Sequence, residues 1–160
     1  MRTFFIALRA LIFASIFVFV WGWLALEARG FDRRIGLALP EWAAMPGVIV
    51  VAIGGILALL CVGVFVVQGR GTPAPFDAPR TFVAIGPYRL IRNPMYVGGF
   101  TMLVGLSFYE RSISMLLFAC VWLFFVHLFV VYLEEPGLRR KFGAAYTDYY
   151  NSVPRWIPKR

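Results

Sequence analysis

The sequence predicts an all-α integral membrane protein with about four transmembrane helices, the last two forming a hairpin. Two observations carry this. Apolar residues make up 61% of the chain and charged residues only 15%, with a mean hydropathy of +0.76, whereas a soluble domain is about half apolar and a quarter charged. The chain also contains four separate apolar runs of membrane-compatible character. With 160 residues, most of them in the bilayer, the expectation is one membrane domain, residues 1–160, with no separate soluble module. Chemistry is then expected in the connecting segments and the tail.

The first run, ALIFASIFVFVWGWLAL at 10–26, extends back to Phe4 with Arg9 as its one interruption, close enough to the end to snorkel to headgroups. This gives a span of about 4–26. It is too long for a secretory signal, contains Arg9 and lacks a small-x-small cleavage site before EARG, so a retained helix is expected. The second run, PGVIVVAIGGILALLCVGVFVV, gives a span of about 46–68. A loop at 69–94 follows, opening with Pro73, Pro75 and Pro79 and lacking helical periodicity. The third run, MYVGGFTMLVGLSFY at 95–109, rises only about 22 Å as a helix. ERS at 110–112 separates it from ISMLLFACVWLFFVHLFVVYL at 113–133, and the two form the hairpin, leaving a tail at 134–160.

The net charge of +8 invites a nucleic-acid reading, but its distribution points to membrane orientation. With four crossings, eleven basic residues (Arg2, Arg70, Arg80, Arg89, Arg92, Arg139, Arg140, Lys141, Arg155, Lys159, Arg160) share one side and four (Arg29, Arg33, Arg34, Arg111) the other. The positive-inside bias then places both termini, the 69–94 loop and the tail in the cytoplasm of a bacterial-type inner (plasma) membrane. Attraction to anionic membrane lipids accounts for the rest, and no nucleic-acid partner is expected. Cys61 and Cys120 lie inside spans, and no spaced His/Cys cluster is present, so neither a disulfide nor a metal site is implied.

Three cytosolic features carry candidate chemistry. In GPYRLIRNPMYVGG, residues 86–99, Asn93 is a preferred helix N-cap and Pro94 suits the first helical position. The N–H groups of Met95, Tyr96 and Val97 beside Arg89 and Arg92 would suit a carboxylate or phosphate; the alternative is that the cap serves only its own helix and the arginines meet lipid. In VVYLEEPGLRRKFG, residues 130–143, Pro136 and Gly137 are expected to end the last span, which leaves Glu134 and Glu135 in a final turn where the helix dipole disfavours them. They call for a counterion, either Arg139 or Arg140 or a cationic ligand. His127 lies two turns before Glu134, on the same face of a regular helix, as a functional candidate or as a hydrogen-bonded structural residue. Third, the tail YTDYYNSVPRWIPKR presents Tyr146, Tyr149, Tyr150 and Trp156 among basic residues, as an interfacial belt or a stacking platform.

Together, GPYRLIRNPMYVGG, LEEPGLRRKFG, YTDYYNSVPRWIP and the His127-to-Glu134 spacing resemble the isoprenylcysteine carboxyl methyltransferase family over residues 83–158. That family is related to the phospholipid N-methyltransferases, membrane enzymes that use S-adenosylmethionine. The resemblance implies a cytosol-facing cofactor pocket with Tyr88, Arg92, Asn93, Tyr96 and Gly98 from the first motif, Glu134 and Glu135 from the second, and Tyr146, Tyr149, Pro154 and Trp156 from the third. Asn93 stands where the family often has histidine; it can donate a hydrogen bond but cannot carry charge or take a proton.

On this reading the ammonium and sulfonium of S-adenosylmethionine suit the two glutamates, its carboxylate suits Arg92 and the helix start, and its adenine suits Trp156 and the tyrosines. Glu134, Arg92 and His127 are the expected catalytic residues. A carboxylate acceptor, as in prenylated cysteine, needs no base; an amine or thiol of a lipid headgroup would need His127 or a glutamate. The oily acceptor is expected to enter sideways from the bilayer, where the short third span leaves an opening. Two rivals are an NADPH-dependent membrane reductase of the sterol-reductase-like type and a non-enzymatic adaptor that binds anionic lipid. Gly54–Gly55 and the spacing Gly63 to Gly69 offer close helix contacts, including between copies of the chain.

The charge asymmetry predicts that single cysteines placed at Thr72 and Arg33, in a background lacking Cys61 and Cys120, label from opposite sides of the membrane. Labelling of both from outside would contradict four crossings.

Overall fold

The structure, a computed structural model, describes residues 2–69 and 82–158. The proline-rich start of the long loop, with Arg70, Thr72 and Arg80, lies outside the described residues. The chain runs through α1 (Arg2–Ala28), a single turn α2 (Asp32–Ile35), α3 (Ala44–Val64), α4 (Pro94–Tyr109), α5 (Ile113–Phe129), α6 (Glu135–Phe142) and α7 (Ala144–Ser152). No strand occurs among the described residues. Three stretches, Phe4–Ile35, Glu41–Gln68 and Ile113–Phe142, are long and apolar enough to cross a membrane. The protein is an all-α membrane protein. At 16 residues, or about 24 Å, α4 is shorter than any of the three.

Glycine sets the position of α4. A Cβ added at Gly54 would lie 2.6 Å from the Gly98 carbonyl oxygen, one at Gly47 2.7 Å from that of Gly105, and one at Gly105 2.5 Å from the Val51 nitrogen. Low numbers on α3 meet high numbers on α4, so the two helices run antiparallel with their backbones in contact. Small residues permit this approach where lipid offers no hydrophobic drive to pack helices. Gly98, expected to bind cofactor, instead packs against Gly54 and the Ala58 backbone. Gly54 is therefore committed within the chain, while Gly55 and Gly63 face open space.

The turn between α4 and α5 is pinned to the connector after α1. Arg111 adopts φ 57°, a left-handed conformation unusual for a branched-free but bulky side chain, and three contacts hold it there. The Leu39 N–H donates to the Arg111 carbonyl at 3.0 Å, Arg111 Nε donates back to the Leu39 carbonyl at 3.1 Å, and Nη1 pairs with Glu41 at 3.2 Å. Arg29 pairs with Glu110 at 2.6 Å. Ser112 caps α5 by accepting from the Met115 N–H at 3.0 Å. Deeper in, Trp21 of α1 meets Trp122 edge to face at 5.9 Å over a core of Ala25, Leu103, Met115 and Ala119.

The last span does not stop at Pro136, contrary to the expectation from sequence. The chain passes from α5 through a wider π turn, Val130–Glu134, directly into α6, where Pro136 occupies one of the first two positions. A proline in mid-helix removes a donor and crowds the carbonyl four residues back. The π turn shifts the bonding pattern just ahead of it, so the ring falls where an N–H is not required. Glu134 and Glu135 consequently sit within a continuous helical path, and the unfavourable dipole argument does not apply. Gly143, at φ 56° and ψ −128°, supplies the sharp turn from α6 to α7.

Because a Cβ at Gly54 would enter the α4 backbone, Gly54→Leu should lower stability in detergent by at least the roughly 1–3 kcal/mol of ordinary overpacking. Gly55→Leu, one residue on but facing open space, should leave the melting temperature nearly unchanged.

Candidate functional site

One carboxylate joins the three polar motifs. Glu135, only 6% exposed, accepts from Arg155 Nε at 2.8 Å and Nη2 at 2.9 Å in a two-pronged pair, and forms an ion pair with Arg92 Nη2 at 3.1 Å. Arg92 comes from the string before α4, Glu135 from the start of α6 and Arg155 from the tail. A buried carboxylate demands pairing of this quality. Two guanidiniums against one carboxylate also leave the cluster with a surplus positive charge. Arg155 is held above its ordinary pKa, chiefly by its hydrogen bond to Glu135.

Around this cluster the tail folds back onto the string. The Arg92 N–H donates to the Pro154 carbonyl at 2.8 Å, and Arg92 Nη1 to the Tyr150 carbonyl at 2.8 Å. The Tyr150 ring lies 3.9 Å from the Arg92 guanidinium and 4.2 Å from that of Arg139, so Arg139 meets an aromatic face and not Glu134 or Glu135. Tyr149 donates its hydroxyl to the Tyr88 carbonyl at 2.6 Å. Phe82 packs on Tyr149 at 5.0 Å and on Tyr146 at 5.9 Å, and Tyr88 meets Phe65 at 5.3 Å. Burial pushes the Tyr146 hydroxyl up to about 12 and those of Tyr88 and Tyr149 upward as well. These phenols remain protonated donors at any physiological pH.

The two glutamates are not equivalent. Glu134 is half-buried and takes one hydrogen bond, from the Tyr96 hydroxyl to Oε2 at 3.0 Å; its other oxygen has no hydrogen bond among the described residues. No hydrogen bond or ion pair among the described residues joins His127 to it. The π turn between them breaks the two-turn register, and the imidazole Nδ1 instead accepts from the Trp156 indole N–H at 3.1 Å.

The candidate residues thus divide. Arg92, Glu135 and Pro154 form one bonded framework with Arg155; Tyr149 with Tyr88, Tyr96 with Glu134, and Trp156 with His127, are pairs beside it. Tyr146 is buried against the aromatic cluster. Asn93 occupies the N-cap position of α4 but makes no capping bond with its side chain. Its Nδ2 reaches the Arg155 carbonyl at 3.4 Å, because the tail is held close by Glu135. The Val97 N–H is also engaged, with the Asn93 carbonyl at 3.2 Å, so the helix end presents fewer free donors than expected.

Sequence reasoning left Arg155 and Phe82 out of the site and named Tyr150 only as a stacking face. Arg155 stood in the VPRWIP motif, but nothing singled it out from Lys159 or Arg160. Tyr150 was one of three similar tail tyrosines, and Phe82 carried no signal at all. One polar atom in the framework remains unsatisfied: Arg92 Nε is buried with no partner among the described residues.

A family model described as phospholipid methyltransferase matches residues 42–145, well over half of the chain. The match takes in α3, α4, α5 and α6 with the Arg92 and Glu135 halves of the framework, and ends just before the tail aromatics. A search of curated proteins found no match.

Removing one partner of a buried pair costs about 3–5 kcal/mol. Glu135→Gln should therefore lower the ligand-free melting temperature strongly, and Glu134→Gln, with a single hydrogen bond at stake, far less.

Proposed function

The chain belongs to the phospholipid methyltransferase family, and on that premise we propose that it transfers a methyl group from S-adenosylmethionine to a lipid-like acceptor at the cytosolic membrane face. The observation that carries the cofactor assignment is the unpartnered, buried Nε of Arg92 in a cluster that holds one more cation than anion. That surplus suits a carboxylate. Glu134, one residue from the cluster and with an oxygen unbonded, suits a nearby ammonium or sulfonium. Trp156, half-buried beside His127, supplies a flat face suited to adenine. The donor set fits the cofactor, with one change to the roles expected from sequence: Glu135 holds the frame, and Glu134 faces the ligand.

Bound there, the cofactor would supply a methyl group on a sulfonium, which needs only in-line approach of a nucleophile. The residues of the chain then hold the donor, exclude water and orient the acceptor. An apolar groove of about 500 Å³, lined by Ile56, Leu60, Gly63, Val67 and Ile85 among others, runs along α3 and ends next to the Gly86–Arg89 turn. It supports sideways entry of an oily acceptor from the bilayer. We take α4 as a short fourth crossing, with both termini and the site cytosolic. The acceptor group is the carboxylate of a prenylated-cysteine-type molecule or a lipid headgroup.

Calorimetric titration of the purified protein with S-adenosylmethionine, S-adenosylhomocysteine and NADPH tests this reading. The first two should bind at one site per chain. Loss of a charge-assisted hydrogen bond of about 1.5–3 kcal/mol should make Glu134→Gln bind S-adenosylmethionine about tenfold to a hundredfold more weakly. Binding of NADPH alone would favour the reductase, and binding of none of the three would favour a lipid-binding adaptor.

A further inference from the structure

His127 is the only histidine in the chain, and its hydrogen bond identifies its protonation pattern. The indole N–H of Trp156 is a donor and never an acceptor, so at 3.1 Å the Nδ1 of His127 must offer it a lone pair. The neutral ring then carries its proton on Nε2. Nε2 has no hydrogen bond among the described residues. A proton added at Nδ1 would confront the indole N–H, so this contact opposes the ring as an acceptor of a substrate proton at that nitrogen, while Nε2 already holds one.

Trp156 is well placed to impose this. The two residues before it are fixed by the buried framework: the Pro154 carbonyl accepts from the Arg92 N–H at 2.8 Å, and Arg155 is clamped to Glu135 at 2.8 and 2.9 Å. The indole therefore reaches α5 from a rigid mount, with its ring 6.0 Å from the imidazole and tilted by 40°.

We infer that Trp156 is a positioning residue that holds His127 as the Nε2–H tautomer, so that His127 serves methyl transfer as a hydrogen-bond donor to an anionic oxygen of the acceptor and not as a general base. This rests on the methyl-transfer reading above. The step balances without a proton: an acceptor oxygen lone pair forms the bond to the methyl carbon, the carbon–sulfur bond breaks, and its electron pair remains on sulfur as the thioether. The base role expected from sequence for His127 is thereby replaced by orientation of the acceptor.

A protein labelled with ¹⁵N-histidine contains one imidazole, so its nitrogen spectrum needs no assignment. The wild type without cofactor should show Nε2 protonated and Nδ1 bare, and Trp156→Phe, which keeps a ring but removes the N–H, should shift the ring toward a tautomer mixture. A proton on Nδ1 in the wild type, or an unchanged spectrum in Trp156→Phe, overturns the inference. In turnover with an acceptor that the wild type methylates, His127→Leu should lose about tenfold to a hundredfold in kcat. His127→Gln, which offers an amide N–H and no basic nitrogen, should recover most of that loss. A fall of about 10²–10⁴ in His127→Gln would show a base instead. Failure of the wild type to bind S-adenosylmethionine would refute the methyl-transfer reading and leave the tautomer result standing on its own.

Discussion

A single buried carboxylate, Glu135, shared by Arg92 and Arg155, is the constraint on which the end of the structure that carries the candidate site depends. Ionised groups are expensive to bury unless they are paired and hydrogen-bonded, so the three side chains specify one another. Each comes from a different segment, and satisfying them draws the string before α4, the start of α6 and the tail into one place. The neighbouring contacts follow from that closure. The Pro154 carbonyl meets the Arg92 N–H, Asn93 reaches the Arg155 carbonyl, and Tyr150 lies against both Arg92 and Arg139. Trp156, the next residue after Arg155, is carried onto His127.

This cluster can form only if α4 and α5 deliver their ends to the same level. The glycine contacts of α3 with α4 fix where Arg92 and Tyr96 emerge, and the Arg111, Glu41 and Leu39 contacts at the opposite end set how α5 starts. The π turn at Val130–Glu134 then rotates the chain before α6. It turns Glu135 into the buried pair and Glu134 toward Tyr96. A regular helix would have kept Glu134 in register with His127, so the turn also separates the two pairs that flank the proposed cofactor site.

Much of this architecture is readable in the residues, and the limits are physical. The apolar runs mark the long helices because a bilayer imposes length and composition directly. The three motifs mark the candidate site because polar, proline-rich strings are conspicuous in so apolar a chain. Pairing partners are not readable in the same way. Arg139 lies four residues after Glu135, yet the structure gives that carboxylate to Arg92 and Arg155, 43 and 20 positions away in sequence, because tertiary closure outcompetes an exposed local pair of little worth. Asn93 and Pro136 show the same limit. Each carries a strong local signal, for a cap and for a helix stop: the first is overridden by the Arg155 carbonyl, which only the folded chain supplies, and the second is absorbed by the π turn just ahead of the proline. Gly98 had the opposite fault: its position inside a functional motif concealed a packing role.

The central claim is that Glu135 couples the tail to the string before α4 and thereby shapes the site. A double-mutant cycle of Arg92→Gln and Arg155→Gln, residues from different segments that share this one carboxylate, tests it most directly, read by both unfolding free energy and S-adenosylmethionine affinity. Coupling through Glu135 predicts an interaction energy of about 0.5–3 kcal/mol in both readouts. Additivity within about 0.3–0.5 kcal/mol in both would contradict it, since the two arginines would then act as independent surface charges.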